Sequence, residues 1–180
     1  MVVTVGDMTD PTALPNFTPY DPAGTPNGAA QSQTPARDSV LAVLTGIGID
    51  AQVDADGDLE YKIVDDDGVA TTLFARVAEA QPEMEVPLAL VRFFGQWQLQ
   101  EPVSPDRNDR IARCNDLTLQ LNLVKLSLVQ ESLVVSVEHV ILPGSDLDVL
   151  VPLSINHILQ GVGFFYQSWA PIEDVPAGEQ

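Results

Sequence analysis

The chain has 180 residues, 45% of them hydrophobic, which supplies enough aliphatic material for one core and excludes disorder as the state of the whole chain. Twenty-six Asp and Glu against eight Lys and Arg leave a formal charge of −18, a field that repels phosphate backbones and anionic lipid and so argues against nucleic acid and membrane surfaces as partners. The lone cysteine, Cys114, allows no intrachain disulfide and fits a reducing compartment.

Residues 1–36 hold Pro11, Pro15, Pro19, Pro22, Pro26 and Pro35 among small residues, a composition that withholds the backbone donors and dihedrals of regular structure and reads as a tail. Phe17 and Tyr20 are its only aromatics. The start, Met1–Asp7, has no basic cluster and no apolar run of signal-peptide length, and no later segment reaches about 18 uninterrupted apolar residues, so a cytoplasmic protein is expected.

A domain is expected over 37–169. Asp38 can cap a short helix that uses Val40, Leu41, Val43 and Leu44 on one face and stops at Gly46. Ile49–Val53, Leu59–Val64 and Val69–Val77 read as an antiparallel meander turned by Asp54–Asp58 and Asp65–Gly68. Val86–Gln98 is a further strand, with Pro87 near its start and a bulge or bend expected at Gly95.

Ser104-Pro105-Asp106 opens a helix to about Leu119, with Ser104 as the cap and Ile111, Cys114, Leu117 or Thr118, and Leu121 facing inward. Leu123–Val129 and Ser132–Ile141 form a hairpin turning at Gln130-Glu131. After the loop Pro143–Asp148 a last helix should start near Pro152, with Ile155, Ile158, Leu159, Val162, Phe165, Tyr166 and Trp169 on its apolar stripe. Gly161 and Gly163 weaken that helix and point to close packing there, against the sheet or another chain. Residues 170–180 read as an acidic tail. The predicted fold class is α+β in two layers, an antiparallel sheet with helices on one face, in the order α-β-β-β-β-α-β-β-α.

Few residues invite chemistry. Asp54, Asp56 and Asp58 alternate on a tight turn and are candidates for a hard cation, but an EF-hand register would need glycine and glutamate where Leu59 and Asp65 stand. Nothing in spacing brings Cys114 to His139 or His157, so neither a nucleophile pair nor a zinc site is expected. Arg107, Arg110 and Arg113 concentrate three of the eight basic residues on one helix face, and are candidates for docking an acidic segment. Trp97, Phe93, Phe94, Phe165 and Trp169 are the candidate aromatic anchors.

The block from Leu88 to Glu138 carries a likeness. Val91, Arg92, Gly95 and Trp97 match a Val-Arg-Gly-x-Trp-like strand end, and Cys114-Asn115 a Cys-Asn-x-x-Asn helix signature. Glu138 closes the later strand, and Asp54-Ala55-Asp56-Gly57-Asp58 matches an acidic hairpin turn. With these, residues 38–169 resemble the YbjN-domain family, bacterial proteins described as sensory transduction regulators. Two departures stand inside the match: Phe94 is an extra residue before Gly95, and Thr118 or Leu119 occupies the place of the second Asn. The resemblance implies a fold like the type III secretion chaperones, which bind extended polypeptides. The expected function is therefore a non-enzymatic protein-interaction module, a chaperone-like or regulatory adaptor needing no cofactor. Its partner is another protein or, by the same likeness, a second copy in a homodimer. The alternative is a divalent-cation or small-ligand sensor using the aspartate turns.

Overall fold

Polar and apolar residues alternate along the strand segments and recur every three or four positions in the helical ones, so each element has one face to bury. The computed structural model describes residues 35–65, 68–79 and 88–169; the segment with Phe17 and Tyr20, the expected strand start at Val86-Pro87 and the tail 170–180 lie outside these. The elements are α1 (Pro35–Gly46), β1 (Ala51–Val53), β2 (Leu59–Val64), β3 (Ala70–Glu79), β4 (Ala89–Gln98), α2 (Arg107–Gln120), β5 (Val124–Val129), β6 (Ser132–Ile141) and α3 (Leu147–Gln167). The strands form one open antiparallel sheet ordered β1-β2-β3-β4-β6-β5, giving an α+β protein.

All three helices lie on the same face of that sheet. Leu59, Tyr61, Leu73, Ala75, Val91, Phe93, Leu126, Leu133, Val135 and Val137 share one side of the strands and form a single buried cluster with Val40, Leu44, Cys114, Leu117, Val151, Ile158 and Phe165. Each large side chain fully buried there contributes about 1.5–3 kcal/mol relative to exposure. Gly161 lets α3 approach the sheet: a Cβ at this position would stand 3.0 Å from the methyls of Val124 and Val135. Gly163 does not pack on the sheet and has open space around it within the chain.

Several boundaries differ from expectation for local reasons. Helix α1 begins at Pro35, so Asp38 sits in its first turn and is not its cap, and the tail boundary moves back. The helix ends at Gly46, as expected, and is closed two residues further on. Gly48 takes φ +81°, while the Ile49 amide donates to Leu44 at 2.9 Å and the Gly48 amide to Thr45 at 3.0 Å, the paired bonds of a Schellman ending. In α2 the cap is Asp106, whose carboxylate accepts from the Asn108 amide at 2.6 Å. Ser104 stands two residues further out, accepting from the Asp106 amide and donating to Asp109.

Helix α3 starts at Leu147, capped by Asp146, five residues before the position that Pro152 suggested. Pro152 is therefore interior, where its missing N–H leaves the Asp148 carbonyl without the usual helical donor. The cap, the acidic first turn at Asp148 and the inward-facing Val151 outweigh that loss.

Gly95 makes no bulge against β6, since the register runs unbroken from Ala89↔Ile141 to Gln98↔Ser132. Its role is spatial. A Cβ here would stand 2.4 Å from the Trp97 ring and 2.6 Å from a Leu73 methyl, so only glycine lets Trp97 fold back over its own strand. The β3–β4 ladder also ends at this point, with the pair Leu73↔Gly95.

Candidate functional site

The sheet face opposite the helices follows from strand alternation. Across it run Glu60 and Lys62 on β2, Phe74 and Arg76 on β3, Arg92, Phe94 and Gln96 on β4, Ser136 and Glu138 on β6, and Lys125 on β5. Four of the chain's eight basic residues (Lys62, Arg76, Arg92 and Lys125) therefore share one face of a strongly acidic protein. At its centre Phe74 and Phe94 stack with ring centroids 5.3 Å apart. The guanidinium groups of Arg76 and Arg92 lie 6.0 and 5.5 Å from the Phe94 centroid, within cation–π range.

Three of these four cations, Arg76, Arg92 and Lys125, are paired with carboxylates. Arg76 clamps Asp58, donating from Nε at 3.0 Å and from Nη2 at 2.6 Å. Glu138 is shared by Lys125 at 2.6 Å and Arg92 at 3.6 Å. Two cations on one carboxylate leave a local surplus of positive charge, and the rings beside it offer apolar area. Such a surface suits recognition by stacking and bidentate hydrogen bonding.

The arginine candidates of α2 separate into three different situations. Arg110 is committed within the fold: its Nε and Nη2 donate to the carbonyls of Ser104 and Pro105 at 2.6 and 2.7 Å, and its Nη1 pairs with Glu131 in the β5–β6 turn. Arg113 lies 5.2 Å from the Trp169 ring. Arg107 is exposed. The expected continuous docking stripe is thus broken, because its middle member is consumed in bracing a loop.

Of the aromatic candidates, Phe93 and Phe165 are buried in the core, and Trp97 and Trp169 pack partly against it. Phe94 alone among them faces away from the helices. Its partner Phe74 was not anticipated, although strand alternation with Leu73 and Ala75 places it outward by the same period-two logic.

The aspartate turn is a hairpin device. One Asp54 carboxylate oxygen accepts from the Asp56 and Asp58 amides at 2.9 Å each, and Asp58 is taken by Arg76. The three carboxylates do not converge, and among the described residues no group of three or more His, Cys, Asp or Glu is arranged to hold a metal. Cys114 is buried, and burial pushes its thiol up to about 11, which keeps it protonated and unreactive. Asn115 is exposed beside it. Thr118, standing near the expected second Asn, accepts from the Leu126 amide at 2.9 Å and ties α2 to β5.

His139 contacts Ser154 at 2.8 Å, and Ser154 donates to the Leu150 carbonyl at 2.6 Å. Because that hydroxyl proton is spent on Leu150, His139 Nε2 is the donor of the pair. Burial, and secondarily the nearby His157, hold the His139 pKa below its usual value.

Among the described residues one helix, α3, is long and apolar enough to cross a membrane by length and composition; its inward stripe here covers the sheet. No protein-family model, curated protein or solved structure matches the chain.

Proposed function

We propose that this chain is a non-enzymatic protein-interaction module of the cytoplasm, a chaperone-like or regulatory adaptor with a YbjN-type, type III secretion chaperone-like fold. The observation that carries the reading is the helix-free sheet face. It gathers half of the scarce basic residues around the stacked Phe74–Phe94 pair. Further support comes from the placement of the motif residues: Val91, Arg92, Gly95 and Trp97 lie together on β4, and Cys114 on the inner face of α2. Against the cation-sensor alternative stand the bonds already made by Asp54 and Asp58 within the chain.

Affinity capture from the native cytoplasm tests this reading, comparing wild type with Phe94→Ser, which removes one ring of the outward stack and leaves the core untouched. A partner retained by wild type and lost by the variant is the expected result; identical captured sets would remove this face from the mechanism. Size-exclusion chromatography with light scattering addresses the homodimer, and a monomer at high concentration would eliminate self-docking.

A further inference from the structure

The sheet divides at one end. Beyond Leu73↔Gly95, residues Ala70–Thr72 of β3 keep β2 as their partner and Gln96–Gln98 of β4 keep β6, but β3 and β4 no longer pair with each other. A cleft of about 490 Å³ occupies the fork, within the range of ligand sites. Thr72, Phe74 and Gln96 line it from the helix-free side. Trp97 and Tyr166 reach it from the helical side, and the Tyr166 hydroxyl donates to the Gln98 carbonyl at 3.1 Å.

The lining is unusual for this protein. None of the described residues lining the cleft carries a charge, although 19% of the chain is charged and Lys62, cross-strand from Thr72, and Asp65, bonded to the Val69 amide, stand beside it. Amide and hydroxyl side chains alternate there with aromatic rings. The lining itself offers a charged group no partner, whereas an uncharged one finds hydrogen bonds and apolar walls. Two strand edges of three residues each flank the space, about 10 Å of extended chain. That combination fits a short strand added to a sheet edge, where backbone bonds supply affinity and alternate side chains enter pockets.

Charge selects what lies outside the cleft. Asp65, whose carboxylate accepts from the amide of the cleft residue Val69, and Glu101, next in sequence to the cleft residue Gln100, put carboxylates at its margin, and the whole chain carries −18, so segments flanking the inserted one should be basic. We propose that the fork between β3 and β4 binds an extended partner segment of about three uncharged residues flanked by Lys or Arg. This deepens the adaptor reading and rests on it.

The test uses the full chain and an array of fluorescein-labelled peptides Lys-Lys-x-x-x-Lys-Lys, with x any uncharged residue, read by fluorescence anisotropy. Members of the array should bind wild type and Arg107→Ala alike. They should bind at least tenfold more weakly to Thr72→Trp, which fills the cleft. Gln96→Arg, an exposed substitution that preserves the fold, should weaken them too, as should N-methylation of alternate central amides or replacement of the flanks by Glu. No binder in the array, binding undiminished in both protein variants, or indifference to N-methylation would overturn the proposal. So would binding of a neutral oligosaccharide in place of every peptide, or a dimer that Thr72→Trp dissolves. The adaptor reading fails separately: a captured partner lost by Phe94→Ser yet kept by Thr72→Trp preserves the adaptor and discards the cleft.

Discussion

Gly95 shows how a single missing atom shapes the sheet. Its position allows the Trp97 ring and the Leu73 methyl to occupy the volume that a side chain would need, with approaches of 2.4 and 2.6 Å to an added Cβ. Neither neighbour can withdraw freely, since Leu73 is buried and Trp97 packs on the core. Gly95→Ala should therefore destabilise by about 1–3 kcal/mol, the usual cost of overpacking, and should shift Trp97 emission. Urea denaturation checks the first part, and an unchanged midpoint would show that the ring simply turns away. His139 works through its proton. Folding holds this imidazole neutral, so the unfolded chain takes up its proton first as pH falls below the ordinary value of 6.5. Stability from this group is complete above that pH and declines below it. Melting temperatures between pH 7.5 and 5.5 should fall more steeply for wild type than for His139→Gln, which keeps a donor toward Ser154. Equal slopes would assign the pH response elsewhere.

At the scale of elements, the opening of α2 is held by one cation. Arg110 satisfies two loop carbonyls before the helix and pairs with the turn after β5, so it joins segments 21 residues apart. Removing its side chain leaves the carbonyls of Ser104 and Pro105 without those donors, and Arg110→Ala should cost about 1–3 kcal/mol. The exposed Arg107→Ala should stay within about 0.5 kcal/mol. Thermal unfolding followed by circular dichroism separates the two, and equal losses would return Arg110 to the surface role that helix spacing suggested. The contrast marks what was legible beforehand. Period-two and period-3.6 patterns place every described strand and helix within a few residues, because each buries one face. They say nothing of which loop an arginine reaches, nor that Pro152 would be carried inside α3 by a cap at Asp146. The outward Phe74–Phe94 stack needed the register between β3 and β4, and that register depends on where the ladder ends at Gly95. A glycine in a strand signalled an irregularity; the ring that fills its missing side chain came from two residues further on.

For the whole molecule, charge opposes the fold that the core creates. Eight basic residues can neutralise at most eight of 26 acidic ones, so 18 negative charges repel one another in the compact state. Favourable pairs exist, including Lys125–Glu138, but an exposed pair contributes only about 0–1 kcal/mol. Salt weakens both effects, shrinking the screening length from about 30 Å at 0.01 M to about 3 Å at 1 M. Repulsion among many distant charges is long-ranged and is screened first, whereas the close pairs on the sheet face are screened least. The melting temperature should therefore rise as sodium chloride increases from 20 to 500 mM. The same screening should weaken capture of basic-flanked peptides, since their attraction to the acidic surround acts over similar distances. Stability and affinity are thus expected to move in opposite directions along one salt series. A melting temperature that falls together with affinity would mean that the local pairs, and not the net charge, dominate the electrostatics of this protein.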